Sequence, residues 1–151
     1  MTSHSGDGSS RGGGLWRKVA QVGLGATLMA AGAGHLTVQR EEFQAQVPSW
    51  VPLDEDLVVL ASGVVEIGLG AALVATWRQP RRALVGATAA AFFVAIFPGN
   101  IGQYTERVDA FGLDTDTKRA VRLFFQPVLV AWALVSTDAL RQWRKARTSS
   151  S

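Results

Sequence analysis

A single carboxylate, Glu66, stands near the middle of an otherwise apolar run from Leu57 to Trp77. As an α-helix with a rise of about 1.5 Å per residue, this run is long enough to cross the ~30 Å hydrocarbon core of a bilayer. A charge at that depth costs about 2.5–3.5 kcal/mol on insertion scales, so such residues usually face the protein interior and often bind protons or ligands. Glu66 is therefore the first candidate for chemistry in this chain. The alternative is that Glu66 is protonated and has a structural role only, as a hydrogen-bonding link to a neighbouring helix.

Three other apolar runs each contain one uncommon polar residue, namely His35, Asn100 or Gln126. In the four-helix topology described below, all three fall in the same half of the membrane as Glu66. We therefore predict a polar pocket that opens toward the outer leaflet. Each residue also has a plainer explanation. His35 could be solvated near a helix end. Asn100 follows Pro98-Gly99 and Gln126 precedes Pro127, so each amide could bond backbone groups that a proline frees.

The spacing around Glu66 indicates which way its side chain points. At 100° per residue, Ser62, Gly63 and Gly70 lie within about 60° of Glu66 on a helix. All three are small, and small-residue faces pack against other helices in lipid, so we expect Glu66 to point inward. The residues that we predict to form the site are the catalytic Glu66 and His35 and the ligand-binding Ser62, Asn100 and Gln126.

Four apolar runs carry these residues and predict an all-α, four-helix transmembrane bundle. They are Leu15–Leu36, Leu57–Trp77, Ala83–Gln103 and Ala120–Leu140. The fourth run is the weakest because Arg122 and Gln126 interrupt it, although Arg122 is near enough to the end to snorkel toward the headgroups. Residues 15–146 are thus predicted to form one membrane domain, flanked by disordered tails over residues 1–14 and 147–151.

The basic residues are segregated, which predicts an orientation. The chain has a net charge of +3, and most of its basic residues precede the first run, join the second to the third, or follow the fourth. These segments lie on one side of a four-span bundle, and most acids lie in the loops on the other side. The positive-inside rule then places both termini in the cytoplasm of a multi-pass plasma-membrane protein. Anionic lipid headgroups explain the basic segments, so no nucleic-acid partner is expected.

An alternative is that the N-terminus is a cleavable signal peptide with a cleavage site near Ala31 to Ala33. Cleavage would leave three spans and separate the C-terminal basic cluster from the other basic segments. The charge pattern fits four spans better.

The composition excludes several kinds of chemistry. The chain has no cysteine, so thiol–disulfide relays and Fe–S clusters within it are excluded. It has only two histidines, and His4 lies in the predicted N-terminal tail, so neither a two-histidine haem nor a multi-histidine metal site is expected.

Three local predictions concern packing. The first run presents small residues on one face, at Gly23, Ala26, Ala30, Ala33 and Gly34. Such a face favours close helix packing in lipid. The short connection over residues 78–82 predicts that the second and third helices are antiparallel neighbours. The loop over residues 37–56 is predicted to hold a short interfacial helix, anchored by Trp50.

The order of several short motifs resembles the DoxX-like family of small membrane proteins. In that family a Gly-x-x-His precedes a Phe and a Pro-x-Trp-x-Pro segment, followed by a Gly-x-x-Glu-x-x-x-Gly helix and an Asn near the end of the third helix. The resemblance covers roughly residues 15 to 142. The matching positions are His35, Phe43, Pro48, Trp50, Pro52, Gly63, Glu66, Gly70, Pro98 and Asn100.

The resemblance implies a four-helix membrane bundle and a link to redox chemistry. Some members of that family are subunits of quinone-linked oxidoreductases, including thiosulfate:quinone oxidoreductase, and others belong to membrane complexes against oxidative stress. The leading hypothesis is therefore a subunit of such a complex that holds a quinone or small substrate near His35 and Glu66, with a membrane or peripheral redox protein as partner. Whether the chain is itself catalytic, and whether it forms a homo-oligomer, stays open.

Two other functions remain open. The first is a non-enzymatic scaffold or assembly factor that clasps a partner helix or lipid. The second is transport, with Glu66 as the proton-coupling group, although no inverted repeat supports it.

Overall fold

The computed structural model describes residues 8–149, which fold entirely into helices and their connections. The helices are α1 (Gly8–Leu36), α2 (Arg40–Gln44), α3 (Glu55–Ala75), α4 (Arg81–Thr105), α5 (Asp116–Ser136) and α6 (Ala139–Thr148). Four of them, α1, α3, α4 and α5, are long and apolar enough to cross a membrane. The prediction of an all-α fold with four long apolar helices is confirmed.

The predicted disordered tails extend past the described residues at both ends. Residues 1–7 and 150–151 lie outside the described part of the chain. Within it, residues 8–14 are the first residues of α1, and residues 147 and 148 are the last residues of α6.

The long helices pack as two close pairs, α1 with α3 and α4 with α5, and α1 also contacts α5. The apolar core lies between the pairs and includes Leu24, Leu73, Phe93 and Ala133. Helices α3 and α4 are neighbours joined by a short connection, as predicted, but they touch each other only sparsely. This leaves room between their far ends, where the candidate site lies.

The contact between α1 and α3 depends on glycines that face each other. A Cβ atom added to Gly32 would lie 2.6 Å from the carbonyl oxygen of Gly63, and one added to Gly70 would lie 2.5 Å from that of Gly25. Because backbone atoms oppose these positions, any side chain there would force the two helices apart. Gly25 and Gly32 are therefore the α1 glycines that allow the close approach to α3.

The small-residue face predicted on α1 is nevertheless wrong in its position. Ala26, Ala30 and Ala33 are exposed, whereas Gly25 and Gly32 are buried. Small residues recur at spacings of three and four on both faces of this helix, so spacing alone fits either face. The opposing glycines of α3 decide which face packs.

The fourth apolar run does not continue to Leu140 as predicted. Helix α5 ends at Ser136, and Asp138 adopts a left-handed conformation with φ of 60°. The chain then starts α6, a short amphipathic helix with four basic residues that the sequence analysis missed. The apolar run spans this break because Ala139 and Leu140 belong to the first turn of α6.

A buried polar cluster holds this break in place. Arg82, assigned above to an exposed basic connection, is instead buried in the first turn of α4. Its Nε donates to Oε1 of Gln21 at 2.5 Å, and its Nη2 donates to the carbonyl of Ser136. Asp138 forms an ion pair with Arg17, in which Oδ1 of Asp138 lies 2.9 Å from Nη1 of Arg17. The cluster therefore ties α1, α4 and the α5–α6 junction together.

Candidate functional site

His35 and Glu66 meet at the contact between α1 and α3. Nδ1 of His35 lies 2.8 Å from Oε2 of Glu66. Both residues are buried, with 7% and 5% of their surface exposed. They come this close because Gly63, one turn before Glu66, has no side chain: a Cβ there would lie 2.8 Å from the Cβ of His35. The inward orientation expected for Glu66 is what the structure has.

The carboxylate of Glu66 is not fully satisfied by this contact. Nδ1 of His35 also lies 3.1 Å from the carbonyl oxygen of Ala31, one helical turn earlier. Oε2 of Glu66 is buried and has no hydrogen-bond partner of acceptable geometry among the described residues. A buried polar group left without a partner costs about 1–3 kcal/mol. Beside a cavity, such an oxygen can accept a hydrogen bond from a ligand.

A cavity of ≈ 360 Å³ lies beside the pair. It occupies the gap between α3 and α4, at the ends remote from their short connection. Of the predicted site residues, four line it: His35, Ser62, Glu66 and Asn100. The rest of its wall is largely apolar and includes Val59 and Ile96. Its volume is within the range of about 300–1,000 Å³ that suits small organic ligands.

Gln126, the fifth predicted site residue, does not line this cavity. Its Oε1 accepts a hydrogen bond of 2.9 Å from Nδ2 of Asn100, and its Nε2 donates to the carbonyl of Phe93 at 2.6 Å. Gln126 therefore lies behind Asn100 and links α5 to α4. Its amide is already used within the protein, as the plainer explanation for this residue anticipated.

Arg122 is the cavity residue that the sequence analysis missed. It was expected to snorkel toward the headgroups, but its side chain lines the cavity with Glu66. Its Cζ lies 5.8 Å from the ring centroid of Phe111, and its Nε is buried without a hydrogen-bond partner. The guanidinium is also close enough to Glu66 to interact with it electrostatically. One sequence signal was present: Arg122 is four residues before Gln126, and hence on the same face of the helix.

Aromatic rings stack against the buried pair. The rings of His35 and Phe43 lie 3.4 Å apart between centroids at 28°, so Phe43 of α2 fixes the plane of the imidazole. Phe111, in the connection between α4 and α5, contacts Phe43 edge-on at 4.6 Å. His35, Phe43, Phe111 and Arg122 thus form a continuous row beside the cavity.

The segment that follows α2 covers the cavity. Residues 46–51 contribute five of the lining side chains, among them Trp50. Nε2 of Gln46 in this cover donates to Oε1 of Gln103 in α4 at 3.0 Å. The preceding helix α2 is attached as well, because the amide of Phe111 donates to Oε2 of Glu42 at 2.6 Å. Outside the spans, Arg40 of α2 donates hydrogen bonds to the carboxylate of Asp56, and this bonding raises the pKa of Arg40.

The arrangement can bind a ligand that is mostly apolar and has polar atoms at its ends. Glu66 offers a carboxylate oxygen that can accept a hydrogen bond or a proton. Arg122 offers an N–H donor, and Ser62 and Asn100 add neutral polar groups. The opposite charges of Glu66 and Arg122 leave the cavity without a large excess of either sign.

Residues 24–137 match the family described as a domain of unknown function, DUF8561, and the chain belongs to that family. The match includes every predicted site residue and Arg122, and it ends before α6. No curated protein and no solved structure matches the chain. The resemblance to DoxX-like proteins stays a prediction.

Proposed function

We propose that this DUF8561 member is a multi-pass plasma-membrane protein that binds a quinone, or a small substrate of similar shape, in the Glu66 cavity. On this proposal it serves as the membrane subunit of a quinone-linked oxidoreductase or redox-stress complex. The observation that carries the proposal is the buried carboxylate of Glu66 next to a largely apolar cavity: His35 pairs with its Oε2 at 2.8 Å, but no well-aligned hydrogen bond reaches that oxygen from the described residues.

The cavity residues suit a quinone headgroup. A quinone has two carbonyl oxygens that accept hydrogen bonds, and its reduced form has two hydroxyls that donate them. The Nε of Arg122, which has no hydrogen-bond partner among the described residues, supplies a donor, and the carboxylate of Glu66 supplies an acceptor. When bound, a quinone supplies the two-electron chemistry, and the electron-carrying groups that reduce or oxidise it belong to a partner protein.

The roles of the chain's own residues follow from their geometry. Glu66 accepts or returns the proton that accompanies quinone redox chemistry. His35 holds the carboxylate in position and is itself fixed by Phe43. Asn100 and Ser62 orient the headgroup, and Gln126 positions Asn100.

The proposal includes an orientation. Arg17, Arg82 and the basic residues of α6 lie at one end of the helices, which the positive-inside rule assigns to the cytoplasm. Both termini would then be cytoplasmic, the cavity would open toward the outer leaflet, and α2 would lie in the outer interface.

Quinone titration of the purified full-length protein in nanodiscs tests the binding site. Ubiquinone-1 quenches tryptophan fluorescence, and Trp50 lines the cavity, so binding should quench the wild type and much less the Trp50→Phe variant. Glu66→Gln should weaken binding by about tenfold or more, because hydrogen bonds to charged groups contribute about 1.5–3 kcal/mol. Glu55→Gln, an exposed carboxylate on the same helix, is the matched control.

Turnover in membranes tests the redox role. Glu66→Gln should abolish quinone-dependent activity while the amount of protein stays normal. Unchanged binding and unchanged turnover in this variant would reject the proposal. Normal quinone affinity combined with a lower yield of the co-purifying complex would favour the scaffold function instead.

A further inference from the structure

A second concave surface, the α4–α5 groove, shares no residue with the Glu66 cavity. It has a volume of ≈ 450 Å³ and is lined by apolar side chains of three helices. Among them are Val94 of α4, Ala131 and Val135 of α5, and Leu140 of α6. Its one polar residue is Gln126, whose amide is already bonded to Asn100 and Phe93. The groove therefore offers an occupant only apolar contact.

The length of the groove matches one leaflet of a bilayer. Along α5 it extends from Gln126 to Val135, which is about 14 Å at helical rise. Half of the ~30 Å hydrocarbon core is about 15 Å. An extended acyl chain from one leaflet would therefore fill the groove from the α6 end to the middle of the membrane.

Positive charge stands at one end of the groove and not at the other. Leu140, in the first turn of α6, forms that end, and Arg144 lies one turn further along the same helix on the adjoining face. Arg141 and Arg144 are exposed, and neither forms an ion pair with a described residue. Helix α6 contains no acidic residue. The far end, at Gln126, has no charged lining residue, because the side chain of Arg122, one turn beyond, lines the Glu66 cavity instead.

We propose that the α4–α5 groove is a binding site for an anionic phospholipid. One acyl chain lies in the groove, and Arg144, assisted by Arg141, binds the phosphate and the charged headgroup. An apolar groove one leaflet long with a cationic end is complementary to a lipid of this class. Each basic residue near a membrane surface strengthens attraction to anionic lipid by about fivefold in the binding constant.

Native mass spectrometry of the full-length protein in mild detergent tests this site. The protein is titrated with palmitoyl-oleoyl phosphatidylglycerol or with the phosphatidylcholine of the same chains. We expect the wild type to retain the phosphatidylglycerol more strongly. Arg144→Gln should reduce its retention by about fivefold. Arg78→Gln removes an exposed charge from the α3–α4 connection, at the same end of the bundle but away from the groove, and should leave retention unchanged.

A second pair of variants tests the groove itself. Ala131→Trp fills it and should lower the retention of both lipids, whereas Ala71→Trp adds the same bulk to an exposed position of α3 and should not. Equal retention of the two lipids by the wild type, an equal loss in Arg78→Gln and Arg144→Gln, or full retention in Ala131→Trp would each overturn the proposal.

A second copy of the chain is the competing occupant. The sequence has no cysteine, so Ala131→Cys introduces a single thiol. Oxidative cross-linking of this variant in membranes should give a monomer if lipid fills the groove. An efficient disulfide-linked dimer would assign the groove to a partner copy and overturn the lipid site.

Discussion

Replacing Gly63 with alanine should damage both the α1–α3 contact and the candidate site. The new Cβ would lie 2.8 Å from the Cβ of His35 and 3.0 Å from the carbonyl oxygen of Gly32. Restoring an ordinary contact of 3.4 Å would move α1 away from α3 by about 0.6 Å at this point. If His35 moves with its helix, the distance from its Nδ1 to Oε2 of Glu66 grows from 2.8 Å to about 3.4 Å, beyond the usual hydrogen-bond range.

The stability effect of this change follows from the same geometry. Overpacking a well-packed contact costs about 1–3 kcal/mol, and the opposing atoms here include a backbone carbonyl that cannot rotate aside. The free energy of unfolding, measured by denaturant titration of circular dichroism in mild detergent, should fall by that amount. Ubiquinone-1 binding, measured by fluorescence quenching, should weaken in parallel.

Gly68→Ala is the matched control on the same helix. A Cβ at Gly68 would meet no atom within 4 Å, and alanine is the better helix former, so stability and binding should be unchanged or slightly improved. If Gly63→Ala proved as stable as Gly68→Ala and bound the quinone equally well, the argument that backbone contact positions His35 against Glu66 would be refuted.

Three further predictions concern other parts of the bundle. Arg82→Met should lower the free energy of unfolding by about 1–3 kcal/mol, because it leaves the buried oxygens of Gln21 and Ser136 without their donor; an equally stable variant would contradict this role. In a double-mutant cycle, Asn100→Ala and Gln126→Ala should be coupled by about 0.6 kcal/mol, and simple additivity would show that their hydrogen bond contributes nothing. The hydrogen bond from Lys118 lowers the pKa of Asp114, so Lys118→Gln should raise that pKa toward its ordinary value in an NMR titration. Because this pKa is lower in the folded state, the carboxylate stabilises the fold above its ordinary pKa, and this contribution is lost as the pH falls through the folded value.

The sequence predicted the parts of this fold that depend on length and apolarity. Each long helix contains a run of sufficient length with few charges, and Glu66 was correctly expected to point inward because small residues share its face. The predicted pocket placed His35 in the same half of the bundle, but the direct contact between the two side chains was not predicted.

The remaining features depend on which helix faces which, and apolar sequence carries little information about that. Lipid is as apolar as a protein core, so hydrophobic periodicity does not distinguish the lipid face of a membrane helix from its packed face. For this reason the packed face of α1 was misassigned. The burial of Arg82 and the direction of Arg122 were missed because both follow from partners distant in sequence, namely Gln21 and Glu66.

The glycine contact between α1 and α3 makes the two walls of the cavity unequal in their freedom to change. On the Glu66 wall, the separation of the helices is set by main-chain atoms, and even one added methyl group displaces His35. The opposite wall includes Ile96, Arg122 and the segment over residues 46–51, and its glycine is not so tightly packed: a Cβ added to Gly99 would lie 3.5 Å from the nearest atom, which is an ordinary contact. Family members that bind other ligands should therefore differ mainly in the residues of that second wall. Mutant libraries that are designed to change ligand specificity should vary those residues first.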